Sequence, residues 1–146
     1  YKDDPLAPAL YKPDTLFAIA MMASPLGWFE VSNLPPEYAA QMRPLVAAWK
    51  IERARMHGGA IMPVGAAPDG AAWTGFVSAA ADGKGGYALL FRELNARAEY
   101  ALDLGGLVSG STRAMVLGGR GTARVANGVL AVNVPERLDF VWVKLE

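Results

Sequence analysis

The chain has 146 residues, of which 53 % are hydrophobic and 19 % are charged, against roughly 25 % charged residues in an average globular protein. Its 14 basic residues balance its 14 acidic residues, so no excess charge predicts binding to nucleic acid or to an anionic membrane. Cysteine is absent and histidine occurs once, which excludes disulfides, thiolate chemistry and a histidine-rich metal site within one chain, and we expect no cofactor.

The first 58 residues carry helical patterns. A proline-rich arm precedes a first helix, predicted to start with Asp14 as its N-cap and to run through TLFAIAMMA, which is apolar on all sides. A second helix is predicted from about Pro36 to Met56, because apolar residues recur there at steps of three and four. A helix without a polar face needs apolar cover all round. We therefore expect the first helix to lie against structure that this chain does not contain.

Beyond the helices the apolar residues come in short β-branched and aromatic runs between glycine turns. A first strand at 61–64 is predicted to lie at an edge or to contain a bulge, because Pro63 cannot donate to a ladder. Asn127-Gly128 is a strong two-residue hairpin signal. Further strands are predicted at 74–79, 87–93, 99–104, 113–117, 122–125, 129–134 and 140–145.

These patterns predict a mainly β fold: an antiparallel β-sandwich of about seven or eight strands preceded by two α-helices. The predicted division places a helical segment at 1–58 and the sandwich at 59–146.

Two glycine-rich motifs are interpreted as turns. Gly83-Lys84-Gly85 lacks the spacing and the following Ser or Thr of a phosphate loop, and Gly119-Arg120-Gly121 lacks a third glycine at the dinucleotide-binding spacing. His57 ends a basic helix, where its partial positive charge suits the helix dipole, so a structural role is favoured over a catalytic one.

Aromatic residues suggest a carbohydrate-binding surface, since sugar rings stack on exposed aromatic faces. The candidates on the strands are Trp73 and Tyr87, and the alternative is that such rings form the sandwich core. Trp28 and Glu30 are the other two carbohydrate-binding candidates. Glu30 is an acid in an apolar context, where desolvation would raise the pKa of the carboxyl group; the alternative is an arginine or amide partner. The other acids are expected to be solvated or to pair with Arg92, Arg97, Arg113 and Arg124.

Four segments, taken together with their order, resemble a known family: MMASPLGWFE, NLPPEYAAQMRPLVAAWKIERARMHGGAIMPVG, PDGAAWTGF and YALLFREL. Over about residues 16–94 they resemble the C-terminal end of melibiase-type α-galactosidases and related retaining glycoside hydrolases. In that family a catalytic β/α barrel is followed by a small antiparallel β-sandwich. The resemblance implies that residues 1–58 are the last elements of the barrel. The family's nucleophile and acid/base aspartates lie on earlier barrel strands, so it implies no catalytic residue here.

The resemblance implies a non-catalytic C-terminal region that braces the catalytic barrel, with carbohydrate binding as a further expectation. Its partner would be the missing barrel, and the chain alone would not hydrolyse glycosides. Two alternatives stay open: a free-standing carbohydrate-binding module, and a structural module that binds a second copy through the apolar helix face. Neither nucleic acid nor a membrane is expected as a partner.

Overall fold

The structure, a computed structural model, describes residues 3–23, 25, 35–108 and 113–146. Within these ranges, two α-helices and eight strands form three layers. The helices are α1 (Pro13–Ala20) and α2 (Pro36–His57). The strands are β1 (Ala60–Gly65), β2 (Trp73–Ala79), β3 (Gly86–Arg92), β4 (Glu99–Asp103), β5 (Ala114–Gly119), β6 (Thr122–Ala126), β7 (Val129–Asn133) and β8 (Asp139–Leu145).

All strands pair antiparallel, as the sequence predicts. One sheet has the order β1-β2-β3-β8-β5 and the other the order β4-β7-β6, so β1, which contains Pro63, is an edge strand. The strand bounds differ from the predicted ones by one or two residues. The mainly β sandwich with two preceding helices is therefore confirmed.

The five-stranded sheet is the middle layer and is covered on both faces. In β3 and β8, Leu90 pairs with Val141, and both side chains pack toward the three-stranded sheet. One position along, Leu89 pairs with Trp142, and both pack toward the helices. Every residue of β3 is buried. Two cores result, one on each side of the middle sheet.

The cover of the first helix differs from the sequence prediction. Ala18, Met21 and Met22 are buried in the same core as residues of α2 and of the middle sheet. The Nε1–H group of Trp49 donates a hydrogen bond to the carbonyl oxygen of Met21 at 3.0 Å, and Nε2 of His57 lies 3.1 Å from the same oxygen. The expectation that this helix lies only against absent structure is therefore wrong, because α2 and the sheet cover its buried side, although Ile19 keeps 49 % of its surface accessible.

The start of the first helix also differs from the prediction. Lys12, not Asp14, is the N-cap of α1, and Pro13 occupies the first helical position, where a missing backbone N–H costs nothing. Helix α2 likewise begins with a proline, Pro36.

The hairpin between β6 and β7 confirms the turn signal. Asn127 and Gly128 both have positive φ, 51° and 76°, as a two-residue turn matching the strand twist requires.

Candidate functional site

Two of the four predicted carbohydrate-binding residues lie outside the described residues: Trp28 and Glu30. The other two are buried, with Trp73 5 % exposed and Tyr87 0 % exposed. The alternative interpretation, that such rings form the core, holds at both positions.

Each buried ring has its polar group satisfied within the chain. The Tyr87 hydroxyl donates to Oε2 of Glu52 at 2.6 Å, and burial followed by this hydrogen bond raises the pKa of Tyr87. Trp73 stacks on Tyr100 with ring centroids 5.3 Å apart, and its Nε1–H donates to the carbonyl oxygen of Arg97 at 3.1 Å. Neither ring offers the free face that sugar stacking requires.

The acids pair differently from the expectation. Asp139, whose side chain is fully buried, accepts hydrogen bonds from Nε of Arg120 at 2.6 Å and from Nζ of Lys12 at 2.8 Å. Arg120 also reaches Asp14 at 2.6 Å. Burial opposes the charge of Arg120, but the hydrogen bonds to Asp14 and Asp139 outweigh it and raise the pKa of the guanidinium.

None of the four arginines expected to pair with acids forms an ion pair with another described residue. Arg92 instead donates to backbone carbonyl groups, including those of Val134 at 2.8 Å and Asn95 at 3.0 Å. These hydrogen bonds connect the loops at one end of the sandwich.

The ion pairs of Asp139 and Asp14 with Lys12 and Arg120 have a structural role, because they join the N-terminal arm and α1 to β8.

Helix α2 carries a second apolar stripe on its outward side. We call it the outer stripe, and its members follow one another at steps of four and three residues: Ala40, Pro44, Ala47, Ile51 and Ala54. This spacing puts them on one side of the helix, opposite the buried Leu45, Trp49 and Met56, over a length of about 21 Å. All five are exposed, and Ile51 keeps 79 % of its surface accessible.

One border of the outer stripe is basic. Arg43 and Lys50 are exposed beside it, and within the described ranges neither forms an ion pair. Glu52 points inward, 3.4 Å from Nζ of Lys144. Isolated exposed apolar residues are ordinary, but an aligned stripe with one large side chain marks a potential interface. The sequence contains this stripe, but without the burial pattern it could not be separated from the stripe that faces the core.

A polar groove of about 570 Å³ lies on the outer face of the three-stranded sheet. The register places Ala101, Ala131 and Arg124 side by side across β4, β7 and β6. The neighbouring row is Glu99, Asn133 and Thr122. Arg97 closes the end beside β4. Sequence reasoning missed this groove because it depends on which strands are neighbours.

Within the described ranges, no three or more histidine, aspartate or glutamate residues are placed to hold a metal ion. Among the helices of the described ranges, none combines the length and the hydropathy of a membrane-spanning segment. Comparisons with protein-family models, curated proteins and solved structures found no match.

Proposed function

We propose that this chain is a non-catalytic module of an α-galactosidase-like glycoside hydrolase, and that the outer stripe of α2 packs on the catalytic barrel and braces it. The observation that carries the proposal is the pair of opposite apolar stripes on α2. One stripe is used by the chain's own core, and the other is exposed along the length of the helix.

The residue sizes in the outer stripe suit close packing against another surface. The alanines let a partner backbone or helix approach, while Ile51 can act as the single large anchor. Burying one such side chain stabilises an interface by about 1.5–3 kcal/mol. The resemblance of residues 16–94 to the end of an α-galactosidase favours the barrel as the partner.

The basic border favours a partner other than a second copy of this chain. Two copies meeting through their outer stripes would bring Arg43 and Lys50 of each near the same cations of the other. Like charges across an interface disfavour association, whereas acidic groups on a barrel surface would complement them. A homodimer formed through α2 is thus the alternative that the test must distinguish.

The test uses an α-galactosidase barrel from which its own terminal sandwich has been removed. The barrel is co-expressed with the full chain. We expect a higher soluble yield and a higher unfolding temperature of the barrel than without the chain, because an added partner that binds only the folded state stabilises it.

The chain alone is assayed in parallel on an aryl α-galactoside. We expect no turnover above buffer. Turnover that is lost when an acid of this chain is mutated would overturn the proposal. The proposal would also be overturned if co-expression with the chain changed neither the yield nor the unfolding temperature of the barrel.

A further inference from the structure

We propose that the groove on the outer face of the three-stranded sheet binds a saccharide that bears carboxylate groups. The three-stranded sheet, which carries the groove on its outer face, and the helices cover opposite sides of the middle sheet. This site is therefore separate from the outer stripe of α2 and does not depend on the proposed bracing function.

The floor of the groove is formed by small residues. Ala101 and Ala131 lie next to each other in the register, at positions where strands usually carry β-branched or aromatic side chains. The two alanines lie on adjacent strands about 5 Å apart, and the groove as a whole extends across all three strands. A sugar ring can lie flat on such a floor.

The walls supply charged and neutral hydrogen-bonding groups. Arg124 stands on β6 and Arg97 at the opposite side next to β4, and both are exposed. Among the described residues, no ion pair neutralises either guanidinium group or the carboxylate of Glu99. The planar guanidinium group of an arginine without a protein partner can donate two parallel N–H hydrogen bonds to the carboxylate of a ligand.

The position of Arg97 is fixed by its backbone. Its N–H donates to Oδ1 of Asn95 at 2.9 Å, and its carbonyl oxygen accepts from Nε1 of Trp73 at 3.1 Å. The backbone of the groove wall is therefore anchored to the buried Trp73, which stacks on the half-buried Tyr100. The candidate Trp73 acts here by positioning Arg97, not by stacking on a sugar.

The mixture of groups favours an acidic saccharide over a polyphosphate. Glu99 would repel a dense polyanion, and the chain has no net positive charge to attract one. Glu99, Asn133 and Thr122 form a row that can accept from and donate to sugar hydroxyl groups. Two arginines on opposite walls suit carboxylates that are spaced along a chain of sugar rings.

Calorimetric titration with trigalacturonate, galactotriose and triglutamate tests the proposal. We expect trigalacturonate to bind at least about tenfold more tightly than galactotriose, which lacks carboxylates, and than triglutamate, which lacks sugar rings. Absence of trigalacturonate binding would overturn the proposal. Equal affinity for galactotriose would overturn the role of charge, and equal affinity for triglutamate would overturn the role of the sugar.

Variants then locate the site. Arg124→Gln should weaken trigalacturonate binding about tenfold, whereas the matched change Arg137→Gln, at an exposed arginine outside the groove, should leave it unchanged. Ala131→Leu should abolish binding by filling the floor, and leucine suits an outward strand position. Binding that survives Arg124→Gln and Ala131→Leu unchanged would contradict the assignment.

Discussion

Asp139 is fully buried at the start of β8, and cations from two distant parts of the chain reach it. Lys12 comes from the N-terminal arm and Arg120 from the turn between β5 and β6. The sequence predicts that acids such as Asp139 are solvated or pair with one of four other arginines, whereas its actual partners lie 127 and 19 residues away. Pairing over such separations depends on the folded topology.

Replacing Asp139 with asparagine should lower the free energy of unfolding by about 2 kcal/mol. Removing one partner of a fully buried pair typically costs about 3–5 kcal/mol, and the smaller figure applies because Lys12 and Arg120 are partly exposed. Urea unfolding measures the change.

The matched control is Glu136→Gln, which removes the other carboxylate that bonds Lys12. Its side chain is 65 % exposed, so we expect a change within about 0.5 kcal/mol. Equal effects of the two substitutions would show that burial of Asp139 does not matter to stability.

The strands are the elements that the sequence predicts best. Alternation of side chains and glycine turns locate all eight, and Asn127-Gly128 forms the hairpin that its residue types indicate. The sequence could not show the cover of α1, because apolar residues on all sides of a helix do not reveal which neighbours bury them. Residues Met21 and Trp49 meet only once α2 folds back over the sheet.

Gly128→Ala should destabilise the hairpin, with a loss of about 1 kcal/mol. The φ of 76° is unfavourable for a residue with a Cβ atom, and no heavy atom lies within 4 Å of the added Cβ, so backbone strain alone sets the cost.

Gly128→Asn is the matched comparison for that measurement. Asparagine tolerates positive φ, so the loss should be at most about half as large in the same urea unfolding experiment. A loss as large for asparagine as for alanine would mean that the turn conformation is not what the glycine provides.

At the scale of the whole molecule, three layers leave two outward surfaces with different chemistry. The helix layer presents the outer stripe of α2, and the three-stranded sheet presents the polar groove. The sequence predicts the sandwich and the two helices, but neither surface, because each depends on which residues remain exposed. Of the predicted carbohydrate-binding residues, Trp73 and Tyr87 lie inside the layers, whereas Arg97 and Tyr100, which contact Trp73, line the groove.

The most direct test of the bracing function is sedimentation of the chain mixed with the isolated α-galactosidase barrel, using wild type, Ile51→Asp and Leu10→Asp. Ile51 and Leu10 are 79 % and 56 % exposed, so both variants should fold, but Leu10 lies outside α2. We predict a one-to-one complex for wild type and Leu10→Asp and at least about tenfold weaker binding for Ile51→Asp. A complex that Ile51→Asp leaves intact, no complex at all, or a homodimer formed through α2 instead would contradict the proposal.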